Sequence, residues 1–420
     1  MINVNKIPIR LYADPKKIIT RPSIYPGLER IKRVYERIQN FSDEEVNEIL
    51  SDVRTEFNHR HKNLEKIFLD NYTFFKNEYA LLPELSPNKK LLLGATLTME
   101  YSIQSAALLN PSMVPHPDQS ELKKGEQRFI ISLRSIGEGH ISSIEFREGI
   151  VDNSGQFNLK DPSEFSLTGS IIHSESLNTE NDYNLSFPDD SELSERVIFP
   201  QSRSEIMGME DLRLVSFTDG NEMRYFGTYT AYDGQTITTQ LLETNDFQNF
   251  RIRALKGRAA TDKGMALFPE KINGNYGMIS RQGGECLSIM FSDNLYEWDE
   301  YHLLMKPKFP YELSQIGNCG SPVKTPEGWL LLTHGVGPVR QYSISAVLLD
   351  LADPRKVIAR LNKPLIQPAE DEREGYVPNV VYTCGGMQYK DIFYIPYAMS
   401  DTMTGFAYIN MSELLSELLK

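Results

Sequence analysis

The sequence predicts an all-β fold assembled from one repeated antiparallel unit, with a helical stretch ahead of it. Three observations carry this. About five times the chain reads as an apolar strand, a short polar turn, a second aromatic-rich strand and a loop bearing charged residues, the mark of a repeat architecture. The turns between paired strands have hairpin chemistry, as at Asn273-Gly274 and Pro326-Glu327-Gly328. The residues from 27 to about 110 instead follow a helical period. Strand grammar alone allows two arrangements, a radial one whose loops converge on one site or a sandwich or barrel with regular hairpins.

In chain order, Ser42 and Glu45 form a capping box that starts a helix by satisfying free backbone N–H groups. Leu50, Val53 and Phe57, then Leu64, Ile67 and Phe68, keep the i, i+3, i+4 spacing of a buried helical face. A further helix is expected from Lys90 to Leu109, stopped by Asn110-Pro111. This makes residues 1–115 a helical N-terminal extension, expected to pack on a β domain over 116–420. The repeats begin at Arg128, Glu210, Ala266, Gly320 and Pro378, roughly 50 to 80 residues apart, which leaves room for long functional loops. The polar segment Asp161 to Glu195 reads as a long loop with one short strand at most.

Composition narrows the function classes. The chain has 420 residues, 40% hydrophobic and 24% charged, with a net charge of −13 and no Lys/Arg block. That balance argues against nucleic acid and anionic membranes as partners, and any phosphate-bearing ligand needs a local cationic pocket. The start, MINVNKIPIRLYADPKK, lacks the apolar core of a secretory signal, and Cys286, Cys319 and Cys384 make no disulfide framework, so a cytoplasmic location is expected. The apolar stretch near residue 100 is broken by Glu100 and is no membrane span. The seven histidines are scattered, so a metal centre is not expected.

The loops carry the chemistry. Glu210-Asp211 with Arg213 opens the second unit, and strand alternation puts Asp211 and Arg213 on one face with Glu210 on the other. Tyr232 and Asp233 follow in TAYDG, then Lys263, Glu270, His334, Arg340, Tyr342, Asn379 and Asp401. Each alone reads as a turn or a solvated charge. Together they fall at equivalent places in successive units, where a closed radial fold gathers them at one mouth.

The ordered segments MEDLRLV, YTAYDG, KGMALFPEKINGNY, GWLLLTHGV, LLDLADPRKVIARL, GYVPNVVYTCG and SDTMTGFAYI resemble glycoside hydrolase family 130, the β-mannoside phosphorylases and β-1,2-mannosidases. The resemblance covers about half the chain, from Gly208 to Leu415. It implies an all-β five-bladed β-propeller with an N-terminal helical extension. It also implies an inverting enzyme that cleaves terminal β-mannosidic linkages in manno-oligosaccharides, by phosphorolysis to α-mannose 1-phosphate or by hydrolysis. The general acid then falls on Asp211 beside Glu210, acting through a sugar hydroxyl. Arg213, Lys263, Arg281, His334, Arg340 and Tyr342 are the candidates for binding phosphate, which is the co-substrate with no cofactor. Substrate contacts are expected from Tyr232, Asp233, Glu270 and Asn379, with Asp401 at a family position that holds hydroxyls of the terminal mannose. Hydrolysis needs a second carboxylate as base, from Glu138, Glu270 or Glu285. The chain departs from the family pattern at Ser135 to His140, where shorter phosphorylases carry Gly-Arg-Ser, and at Ser280-Arg281, where the family has His-Arg. The expected partner is a β-mannoside oligosaccharide, with a homo-oligomer left open by the sequence. A non-catalytic carbohydrate-binding propeller is the remote alternative.

Overall fold

The computed structural model describes residues 2–23, 28–79, 84–172 and 180–420, in a mostly-β fold with few helices. The chain divides into two units, Pro15–Ile103 with Ser163–Leu167, and Met1–Asp14 with Gln104–Pro162 and Thr168–Lys420.

The first unit holds the helices Leu28–Asn40, Asp43–Phe57, Leu64–Tyr79 and Pro87–Thr96, and the antiparallel pair Ile18–Pro22 with Thr98–Ser102. The capping box forms as the sequence predicts: the Ser42 hydroxyl accepts from the Glu45 N–H at 3.2 Å, and the Glu45 carboxylate accepts from the Ser42 N–H at 2.7 Å. Ile31, Val46, Leu50, Leu64, Phe68 and Leu93 bury the inward faces together. The expected helix from Lys90 to Leu109 stops at Thr96 instead. Thr96 and Thr98 turn their hydroxyls onto the carbonyls of Leu92 and Gly94, which suits a helix end, and Ala107–Pro115 is a strand buried on both faces. A continuous apolar run does not distinguish such a strand from a helix. The helical unit is therefore narrower than residues 1–115.

The second unit contains four sheets among its described residues, and none closes on itself. The largest, of 12 strands, joins two antiparallel groups through one parallel contact, Gly208 with Ser142. At that contact Gly208 has φ of 131°, and a Cβ there would lie 2.4 Å from the Ser142 hydroxyl, so only glycine lets the chains meet. The segment read as a loop contributes to this sheet, since Tyr183–Ser186 pairs with Asn249–Ala254 and with Ser170–Ile172. Ala266–Leu267, Tyr276–Ser280, Leu287–Ser292 and His302–Met305 make the second sheet, with Asn273 and Gly274 at positive φ in their turn, as their residue types predict. The third is built on the hairpin Gly328–Val336 with Tyr342–Leu349. The last pairs Ile392–Met399 with Met403–Asn410, and Met403–Asn410 also receives Asn5–Leu11 from the other end of the sequence.

That last pairing is sealed by side chains. Ile7, Ile9 and Leu11 pack on a cluster containing Phe129, Phe157, Tyr394 and Phe406, in which Phe129 and Phe157 stack with centroids 4.7 Å apart. Because Phe129 is fully buried there, Phe129→Ala is expected to destabilise this unit by about 3–5 kcal/mol. Urea unfolding followed by tryptophan fluorescence checks this; an unchanged midpoint would contradict the packing.

Candidate active site

Two β-bulges build the site. On Gly208–Asp219, Glu210 pairs with Thr230 and Arg213 with Thr228, leaving Asp211 and Leu212 opposite Tyr229 alone. Asp211 takes φ of 60°, which costs an L-residue roughly 1–2 kcal/mol. On Ala107–Pro115 a second shift leaves Asn110 and Pro111 opposite Leu133, with Asn110 at φ of 48°. The two positive-φ residues meet, and the Asn110 amide donates to Asp211 Oδ1 at 2.6 Å. The bulge overturns the alternation expected from sequence: Glu210 and Asp211 both line the cavity, while Arg213 is buried beside them.

That cavity has a volume of about 260 Å³. Arg134, Lys263, Arg281 and Arg340 supply four cationic side chains to its lining, against the carboxyls of Glu210, Asp211 and Asp401. Arg134 donates to Glu210 at 3.0 Å and to Asp211 at 3.4 Å, and Lys263 donates to the other Glu210 oxygen at 2.6 Å. Arg213 donates to the Asp211 carbonyl at 3.0 Å and to the Tyr382 hydroxyl at 2.7 Å, and its guanidinium lies 3.8 Å from the Asp211 carboxylate. Burial pushes the Asp211 carboxyl up, but Arg134, Arg213, the Asn110 hydrogen bond and Lys263 outweigh it and hold the group below the usual range.

A second cluster faces it. Arg281 Nη1 lies 3.1 Å from His334 Nε2, and since a guanidinium only donates, Nε2 accepts and the imidazole proton sits on Nδ1. Burial, then the charges of Arg281 and Arg213, hold His334 well below the ordinary imidazole pKa, so it is neutral. Its ring stacks on Tyr342 and meets Tyr382 edge-on. Gly317 makes room for it, since a Cβ there would lie 2.3 Å from His334 Cε1.

Asp401 occupies a tight turn with Ser400, both at positive φ, closed by the Thr402 N–H on the Met399 carbonyl at 3.1 Å. Burial and then the Asp211 charge raise its pKa to about 6.

Of the residues singled out by sequence, Glu210, Asp211, Lys263, Arg281, His334, Arg340, Tyr342 and Asp401 come together on this cavity. Others do not line it. Asp233 accepts from the Gln235 and Thr236 N–H groups and shapes its own turn, and Tyr232 bonds the Gly234 carbonyl. Glu270 pairs with Lys324, Glu285 and Glu138 are exposed, and Asn379 holds the Tyr342 backbone through its carbonyl at 3.0 Å. Asn110 and Tyr382 also line the cavity, although the sequence presents Asn110 as a helix stop and gives Tyr382 no separate signal. Arg134 also lines it, one residue before the Ser135 to His140 segment where the chain departs from the family pattern.

The raised Asp401 pKa has a consequence for stability. The folded state keeps its proton to higher pH than the unfolded chain does, so the stability that this group contributes is lost as pH rises from about 4 to about 6. Asp401→Asn is expected to gain stability relative to the parent across that window and to hold the gain above it. Melting temperatures of both proteins from pH 4 to 8 check this, and a constant difference would contradict it.

Comparison with known proteins agrees with this architecture. Residues 171–420 match a family model described as beta-1,4-mannooligosaccharide phosphorylase, of glycoside hydrolase family 130. A 1,2-beta-oligomannan phosphorylase of Thermoanaerobacter sp. (strain X514) is 35% identical over 226 residues, 53% of this chain and 75% of that protein. A beta-1,2-mannobiose phosphorylase of Listeria innocua is 32% identical over 228 residues, 53% of this chain and 63% of that one. The solved beta-1,2-mannobiose phosphorylase from Listeria innocua in complex with beta-1,2-mannobiose shares the fold, with a TM-score of 0.54 at 21% identity, over 76% of this chain and 93% of that one. With more than half its length matched by the family model, the chain belongs to glycoside hydrolase family 130.

Proposed function

We propose that the chain is an inverting β-mannoside phosphorylase on a five-bladed β-propeller, releasing α-mannose 1-phosphate from the non-reducing end of manno-oligosaccharides in the cytoplasm. One observation carries the reading: a single cavity of about 260 Å³ holds the Glu210–Asp211 pair together with Lys263, Arg281, Arg340 and neutral His334. Cationic side chains gathered in one cleft of an acidic protein raise the local concentration of anions there.

In this reading phosphate binds on the Lys263, Arg281 and Arg340 side and attacks the anomeric carbon, and the glycosidic C–O bond breaks on the opposite face. The leaving oxygen takes its proton from Asp211 by way of a sugar hydroxyl. Asp211 is held ionised by its cations, so it needs a raised pKa to act. An incoming phosphate supplies that, because its negative charge offsets Lys263 and the arginines. Acid and acceptor are thereby coupled. Hydrolysis is disfavoured by position, since Glu138, Glu270 and Glu285 do not line the cavity. A sugar phosphate retained inside the cell conserves the energy of the bond, which is the reason for the cytoplasmic part of the proposal.

The deciding assay incubates β-1,2-mannobiose and β-1,4-mannobiose with and without inorganic phosphate. Phosphate-dependent α-mannose 1-phosphate, with its anomeric configuration read by NMR, is the expected product; free mannose at equal rates without phosphate would overturn the reading. Asp211→Asn is expected to lower kcat by about 10²–10⁴ with an unchanged circular dichroism spectrum. Arg281→Ala should raise KM for phosphate at least tenfold more than KM for the sugar, and equal changes would remove Arg281 from the anion site.

A further inference from the structure

The Gly137–Ile141 turn joins Gln127–Ile136 to Ser142–Val151, and the Gly337–Gln341 turn joins Gly328–Val336 to Tyr342–Leu349. They have the same form. The first N–H bonds the fifth carbonyl at 3.0 Å in both, and the third and fourth residues have positive φ in both, Gly139 and His140 in one, Val339 and Arg340 in the other. His140 thus holds the position in its unit that Arg340 holds in its own, and Arg340 lines the cavity. The His140 ring does not enter the cavity lining but lies 5.8 Å from the ring of Tyr376, tilted by 31°.

Tyr376 is the more telling partner. Its side chain is 71% exposed, yet its backbone is fixed. The Tyr376 N–H donates to Thr402 Oγ1 at 2.9 Å, the Val377 N–H donates to the Ser400 carbonyl at 3.1 Å, and a Cβ on Gly375 would lie 2.5 Å from that same carbonyl. Thr402 adjoins Asp401 and Val377 follows Tyr376, and both Asp401 and Val377 line the cavity. A lone exposed tyrosine needs no explanation. An exposed ring whose backbone is fixed beside the cavity wall, paired with a second ring presented by a strained turn, is a prepared surface.

The size of the cavity says what would use it. At roughly 30 Å³ of liquid volume per water, about 260 Å³ is worth some nine waters, room for one sugar ring and one phosphate-sized anion. The second ring of a disaccharide has to lie at the mouth. We infer that Tyr376 and His140 form the platform for that second sugar, with the Tyr376 ring stacking on its C–H face and the His140 imidazole alongside as a hydrogen-bonding edge. This rests on the mannoside-phosphorylase reading and adds residues that select the leaving sugar.

The reaction run in reverse, from α-mannose 1-phosphate with mannose or glucose as acceptor, separates the platform from the cavity. Tyr376→Ala is expected to raise KM for the acceptor by about fivefold to tenfold and to leave KM for α-mannose 1-phosphate unchanged. Tyr376→Phe, which keeps the ring, should behave as the parent, and His140→Ala should give a smaller rise in the same constant. An unchanged acceptor KM in Tyr376→Ala, or equal rises in both constants, overturns the inference. Calorimetric titration with β-1,2-mannobiose and with mannose gives a readout independent of turnover. Weaker mannobiose binding with unchanged mannose binding in Tyr376→Ala supports the platform, while equal binding of mannobiose by variant and parent overturns it even if no phosphorolysis is found.

Discussion

The site depends on a half-buried carboxylate held in a conformation that its backbone disfavours. Asp211 stays at positive φ because Asn110, Arg134 and Arg213 each grip part of it, and those three come from two different strand groups. Removing a charged partner from such a network leaves the carboxylate under-compensated, which costs more than the pair contributes. The bulges on Ala107–Pro115 and Gly208–Asp219 therefore stabilise each other through the side chains they present. The strain is local and the restraint is long-range, an arrangement typical of sites that must be in place before a ligand arrives.

Around that network the fold supplies position more than chemistry. Several hairpins end in a short turn or a bulge that delivers a side chain to the cavity. Arg340 comes from a turn, Asp401 from another, His334 from a strand end with a glycine opposite it. The hairpins themselves are held by ordinary apolar packing, with Phe129, Phe157 and Phe406 at one seam and Trp298 with Leu241 and Met290 at another. Polar residues with unusual backbone angles thus sit on a frame whose stability comes from elsewhere.

Much of this could be read from the chain. The hairpin at Asn273-Gly274 and the capping box at Ser42 were legible because each is a local interaction with its own residue signature. Seven of the candidate site residues converge because hairpin ends and loops were the right places to look, and Arg281, which the family resemblance implies, joins them. The failures share a cause. Strict alternation put Glu210 on the wrong face, because a bulge is one extra residue that no period announces. Asn110-Pro111 looked like a helix stop, and it is a bulge whose purpose is visible only when Asp211 is brought to it from a hundred residues away. Asp233 has the composition of a site residue and spends its oxygens on its own turn. Local chemistry is written in the sequence, whereas the choice between a turn and a ligand is made by what arrives from far along the chain.

The tautomer of His334 bears on how the cavity responds to its surroundings. With its proton on Nδ1 and its Nε2 committed to Arg281, the imidazole is a fixed neutral strut, and the guanidinium it steadies never changes charge in water. One side of the cavity therefore has a constant potential. Asp401 is the group whose charge varies near neutrality, and it stands beside Arg134 and Asp211. Acidity can be read by one wall of the cavity while the other is blind to it, so the cavity works as a constant electrode facing a variable one.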